Sequence, residues 1–110
     1  MKRLPVVYSD DARRDLDAIF AIVWEISASL ATAERYLRRL EARCRTIGDA
    51  LSGGAPRDAI LPGMRIVPFE KRAVIAYFVH DETVVITNIF YAGEDYEAIL
   101  RGERAERWKT

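Results

Sequence analysis

Apolar positions along the chain follow a strand's period at first, then a helix's, then a strand's again. Leu4-Pro5-Val6-Val7-Tyr8 is a short β-branched and aromatic run. Pro5 has no N–H to give to a ladder, which predicts a strand at a sheet edge or one that starts at Val6. Ser9 follows as a helix N-cap, with Asp10 and Asp11 favouring the positive end of the helix dipole. Behind Ala12, the side chains of Leu16, Ile19, Phe20, Val23 and Ser27 share one face, so a helix is predicted over 10–26. Ser27-Ala28-Ser29 breaks that pattern, and Ser29 or Thr32 can cap what comes next. In the second helix Ala33, Leu37, Leu40, Cys44, Ile47 and Leu51 recur at steps of four and three, and Gly53-Gly54 is expected to end it. A short linker between two amphipathic helices predicts an antiparallel helical hairpin.

Pro56 and Pro62-Gly63 confine the following segment to turns and loop, and then the period falls to two. Met64-Arg65-Ile66-Val67 alternates, while 72–79 and 84–91 are nearly continuous apolar strands. The polar breaks Glu70-Lys71 and 80–83 have hairpin length, so the three strands form an antiparallel meander. The middle strand is apolar on both sides. It is expected at the centre of the sheet, under the helical hairpin on one face and a loop, the tail or a partner on the other. Gly93 permits a turn before a short last helix from Asp95 through Tyr96, Ile99 and Leu100, and residues 101–110 form a tail without usable periodicity. The predicted fold is α+β, in the order β-α-α-β-β-β with a small C-terminal helix, its antiparallel sheet packed on the helical hairpin.

A length of 110 residues fits one domain, and 50% hydrophobic with 31% charged residues is the balance of a globular chain. Seventeen cations against seventeen anions weigh against a generic nucleic-acid binder, though not against a local basic patch. One cysteine and one histidine provide neither an internal disulfide nor a zinc site. With no bilayer-length apolar stretch and no secretory signal, the expectation is a cytoplasmic protein without metal, cofactor or membrane contact. Cys44 lies on the apolar stripe, where cysteine is usually a small hydrophobe, and His80 sits in a polar turn. Arg65, Lys71, Arg72, His80 and Tyr91 could line a sheet face and hold an RNA phosphate, but no acid–base pair accompanies them. They read more simply as solvated strand ends. Arg35, Arg38, Arg39, Arg43 and Arg45, with Glu34 and Glu41 interleaved, read as a solvated helix face. Trp24, Tyr36, Phe78 and Phe90 add up to more than one small core readily hides, which makes Trp24 a candidate for an exposed patch.

One ordered set of segments carries a resemblance. It consists of Ala12-Arg13-Arg14-Asp15-Leu16, Ala33-Glu34-Arg35-Tyr36, Pro56-Arg57, Pro62-Gly63 leading to Arg65, Ala73-Val74-Ile75-Ala76-Tyr77, and Ile89-Phe90-Tyr91-Ala92-Gly93 before Asp95-Tyr96-Glu97. In this order, over nearly the whole chain, they resemble the ParE-like toxins of the RelE/ParE superfamily, from bacterial type II toxin–antitoxin systems. The resemblance implies a toxin neutralised in a hetero-oligomer by a ParD-like antitoxin. The antitoxin's C-terminal segment would wrap the toxin, and its N-terminal half would bind operator DNA, so this chain would meet DNA only indirectly. ParE-like members poison DNA gyrase by binding it, whereas RelE-like relatives cut mRNA in the ribosomal A site; fold alone does not choose between them. The neutral charge favours a gyrase inhibitor over a ribosome-dependent mRNA endonuclease, as does Glu94, where the family often has a basic residue. No catalytic residue is assigned. The target surface is expected at Arg65, Arg72, Tyr91, Glu94 and Tyr96, and the antitoxin seat beside the hairpin at Phe20, Trp24, Tyr36 and Leu37.

Overall fold

A hydroxyl at the end of the first strand sets the geometry. In the computed structural model, which describes residues 3–49 and 53–91, β1 (Val6–Tyr8) leads directly into α1 (Asp10–Ser27). Ser9 caps the helix: its Oγ accepts from the amide of Ala12 at 2.9 Å and donates to the carbonyl of Thr87 at 2.7 Å. One side chain thereby satisfies a free helical N–H and ties α1 to the strand below it. The turn to α2 (Leu30–Ile47) is as short as the sequence predicts, with Ala28 in the left-handed region at φ 55° and Ser29 capping through the amide of Thr32 at 3.1 Å.

The second helix ends earlier than expected, at Ile47, and Gly48 forms the cap in place of Gly53-Gly54. Gly48 accepts from the amide of Leu4 at 3.2 Å, and a Cβ there would collide with the Leu4 carbonyl, so the chain reserves this crossing for glycine.

The sheet contains β2 (Ala55–Pro56), β3 (Arg65–Phe69), β4 (Ala73–His80) and β5 (Thr83–Tyr91) besides β1, in the order β1-β5-β4-β3-β2. The meander and the central position of β4 agree with the sequence pattern. Two features differ. β1 pairs with β5 in parallel, so the sheet is mixed, and β2 is a two-residue edge strand where only loop is expected. The last helix expected after Gly93 lies outside the described residues.

Two apolar clusters occupy the two faces of the sheet. The larger one joins Ile19, Val23, Tyr36, Leu40, Cys44 and Ile47 of the helices to Val67, Ile75, Tyr77, Ile86 and Ile89 of the sheet. On the opposite face, Ile60, Leu61 and Met64 from the loop after β2 cover Ile66, Ala76 and Phe90. Strand β5 serves both clusters through a bulge. Ala76 faces Asn88 while Tyr77 faces Ile86, leaving Thr87 as the extra residue. Val84 and Ile86 point to the helices before the bulge, and Ile89 and Tyr91 do so after it. The Asp15 carboxylate of α1 accepts from the amide of Ile89 at 2.9 Å, just past the bulge. No described helix is long and apolar enough to cross a membrane.

Candidate functional site

An open groove of about 440 Å³ lies between the two helices. Arg13, Leu16, Asp17 and Phe20 of α1 and Leu37 and Glu41 of α2 line it. Its shape follows from helical arithmetic. Arg13, Asp17, Phe20 and Trp24 are spaced at four, three and four residues, so they form one stripe beside the core-facing stripe of Ala12, Ile19 and Val23. Leu37 and Glu41 form the facing stripe, and Leu30 falls on the same flank two turns earlier. Because the helices are antiparallel, Arg13, Asp17 and Glu41 make a charged end, and Phe20, Leu37, Trp24 and Leu30 make an apolar one.

The apolar end remains partly open to water, with Phe20 and Leu37 half-buried and Trp24 and Leu30 exposed. Phe20 meets Trp24 edge to face, with centroids 5.9 Å apart, and Trp24 remains 47% exposed. Leu30 is 46% and Ile26 73% exposed nearby on the hairpin tip. A water-facing apolar strip rimmed by charges is the usual surface of a site that takes a partner.

Three of the four residues expected to seat the antitoxin, Phe20, Trp24 and Leu37, are thus on one flank of the hairpin. Tyr36 is not with them. One residue short of Leu37, it turns into the core and stacks edge to face on Phe69 at 5.5 Å and on Tyr91 at 6.0 Å. The Arg39 guanidinium covers its ring at 5.4 Å, burial pushes its phenol up to about 12, and its hydroxyl has no hydrogen-bond partner among the described residues.

The residues expected to form the target surface are spread out. Tyr91 is buried under Tyr36, and Arg72 is exposed at the start of β4. Arg65, half-buried, donates to the carbonyl of Gly54 at 2.6 Å. Arg65 pairs with Tyr77 in the ladder, whereas Ala73, beside Arg72, pairs with both Phe69 and Tyr91. Four ladder positions separate Arg65 from Ala73 and Arg72 lies one residue beyond, so the two arginines are more than about 13 Å apart along the strand. Glu94 and Tyr96 lie outside the described residues. His80 is exposed at the far hairpin, with Nε2 3.4 Å from Asp81. Cys44 is fully buried, its thiol pushed up to about 11 mainly by desolvation, which makes it a poor nucleophile.

Sequence reasoning missed the charged end of the groove. Arg13 and Asp17 were in plain view as part of the Phe20–Trp24 stripe, one period before its aromatic members. It also missed the link between α2 and the β3–β4 turn, where Glu70 takes both Nε and Nη2 of Arg39 at 2.8 and 3.0 Å.

The family description "ParE toxin of type II toxin-antitoxin system, parDE" matches this chain over residues 6–96. Among solved structures, a chain of the chromosomal ParDE toxin–antitoxin system from P. aeruginosa superposes with a TM-score of 0.69 at 18% identity, covering 83% of this chain and 98% of its own. A chain of the RelBE2 toxin–antitoxin complex from Mycobacterium tuberculosis superposes at 0.60 with 21% identity, covering 82% and 99%. Both likenesses concern the fold. No curated protein sequence matches the chain.

Proposed function

This chain belongs to the ParE toxin family of type II toxin–antitoxin systems, and from that premise we propose that it inhibits DNA gyrase in the cytoplasm by binding it, and that a ParD-like antitoxin neutralises it through the groove between α1 and α2. The observation that carries this reading is a contrast between two surfaces. The hairpin offers a continuous apolar strip for a partner, whereas the candidate groups for cutting RNA are dispersed. Metal-free cleavage needs a base, an acid and a cation within reach of one phosphate. Arg65 lies more than about 13 Å along the sheet from Arg72, and Tyr91 lies under Tyr36. That arrangement favours gripping a macromolecule over breaking a bond, and so favours the gyrase inhibitor over the mRNA endonuclease.

In the groove, an amphipathic antitoxin helix would set apolar side chains on Phe20, Leu37 and Trp24, the aromatics supplying most of the energy. A supercoiling assay with purified gyrase tests both halves. Added toxin should stop supercoiling, and added antitoxin should restore it. Trp24→Ala should inhibit as well as the wild type but need several-fold more antitoxin for rescue, the equivalent of at least about 1 kcal/mol. Unimpaired supercoiling refutes the target, and wild-type rescue of Trp24→Ala refutes the seat.

A further inference from the structure

The arginines of α2 do not share one face. Arg35, Arg39 and Arg43 recur every four residues and therefore lie along one flank, with Thr32 and Thr46 at its ends. Glu34 and Glu41 share the other flank with Leu37, beside the groove. Arg38 pairs with Glu34 at 3.6 Å on that side, so the stripe of Arg35, Arg39 and Arg43 is set apart from both glutamates of its own helix.

The flank is also fixed in position. Arg35 donates to the hydroxyl of Thr32 at 3.4 Å and Arg43 to that of Thr46 at 2.8 Å, neutral acceptors that hold a guanidinium without cancelling its charge. Arg39 is held by Glu70, which opens the β3–β4 turn. There Glu70 and Lys71 both adopt positive φ, 48° and 62°, a conformation that costs L-residues about 1 kcal/mol each and persists only under restraint. Asp81 and Glu82 adopt the same conformation in the β4–β5 turn, at φ 49° and 56°, so the tight hairpin connection supplies that restraint. The Arg39–Glu70 pair ties the β3–β4 turn to α2 and places exposed Lys71 and Arg72 beside the arginine stripe. Of these five cations, only Arg39 is paired with a carboxylate among the described residues.

We propose that this flank, formed by Arg35, Arg39, Arg43, Lys71 and Arg72, binds the phosphodiester backbone of duplex DNA directly. Its chemistry suits phosphate. Guanidinium groups present a planar fork to phosphate oxygens, and 14 of the 17 cations in the chain are arginine. Its shape suits a polymer. Steps of four residues space the arginines by about 6 Å, and a duplex carries a charge for about every 1.7 Å of axis. The stripe Thr32, Arg35, Arg39, Arg43 and Thr46 contains no apolar anchor of the kind that dominates protein interfaces. The inference departs from the expectation that DNA is reached only through the antitoxin. It is separate from the antitoxin seat, because it concerns the flank away from the groove, and it shares only Arg72 with the surface expected to meet gyrase, a residue that the variants tested below leave in place.

Fluorescence anisotropy with a labelled random-sequence duplex of about 20 base pairs, in about 50 mM salt, tests it on the full chain. Affinity should fall with salt at a log–log slope of about −3 to −5, each phosphate contact adding about −0.9. Arg35→Gln with Arg43→Gln should bind about tenfold more weakly and flatten the slope by about 2. Arg38→Gln with Arg45→Gln removes the same charge from α2 off the flank and should bind like the wild type; circular dichroism confirms that both variants fold. Three results would each overturn the proposal: no duplex binding at low salt, equal losses in the two double variants, or polyglutamate or single-stranded RNA binding more tightly than the duplex.

Discussion

Replacing Ser9 with alanine removes two bonds made by one oxygen, and the cost can be worked from their geometry. Losing the cap on the Ala12 amide, 2.9 Å in the native chain, costs about 1 kcal/mol. The second loss is the donor to the carbonyl of Thr87, at 2.7 Å, on a bulged residue with no exposed surface. A buried acceptor left without its donor costs about 1–3 kcal/mol more. The sum is about 2–4 kcal/mol. Ser29→Ala is the internal reference, since Ser29 also caps a helix but on the exposed hairpin turn, and it should cost only about 1 kcal/mol. Urea unfolding followed by far-UV circular dichroism measures both, with equal m-values required for the comparison. Ser9→Thr keeps the hydroxyl and should recover most of the loss. If Ser9→Ala costs no more than Ser29→Ala, the hydroxyl does not tie α1 to the bulge of β5, and the placement of the groove needs another explanation.

Three further outcomes follow from single groups. Tyr36→Phe removes a buried hydroxyl that has no partner among the described residues, so stability should be unchanged or rise by up to about 1 kcal/mol; a loss larger than that in urea unfolding would reveal a bond to that oxygen. The Arg39 hydrogen bonds hold the Glu70 carboxyl below the usual carboxylate range. Its contribution is therefore present above the unfolded value of about 4.3 and is lost as pH falls through the lower folded value. Both partners are well exposed, so the wild type should exceed Glu70→Gln by only a few tenths of a kcal/mol at about pH 7, and a gap that persists at about pH 3 contradicts the pairing. Cys44 should resist iodoacetamide in the native chain and react only on unfolding; rapid native labelling, read by mass spectrometry, would contradict its burial.

Much of this architecture was legible because local chemistry and periodicity agree with the tertiary fold. Ser9 and Ser29 cap the helices the spacing predicts, and β4 lies at the centre because both its faces are apolar. The exceptions are long-range. Whether β1 runs parallel to β5 depends on a crossover that no local pattern records. The apolar stripe of the second helix continues to Leu51 in sequence, yet close approach of Leu4 requires the helix to end at Gly48. The bulge at Thr87 reverses which residues of β5 face the helices, and an unbroken apolar run conceals that reversal. At the candidate site, Trp24 was recognisable as apolar excess beside the core stripe, whereas Phe20 and Leu37 fall on the helical stripes themselves. Tyr36 was not distinguishable from them until Phe69 and Tyr91 closed around it.

The central claim is that this toxin disables its target by holding it and breaks no bond itself. Two purified systems run side by side, gyrase with plasmid DNA and ATP, and a reconstituted translation mixture, test it most directly. The account predicts gyrase-linked double-strand breaks after detergent and protease treatment, in proportion to added toxin, while the mRNA stays intact and translation proceeds. Cut mRNA at the ribosome with supercoiling unaffected would contradict it.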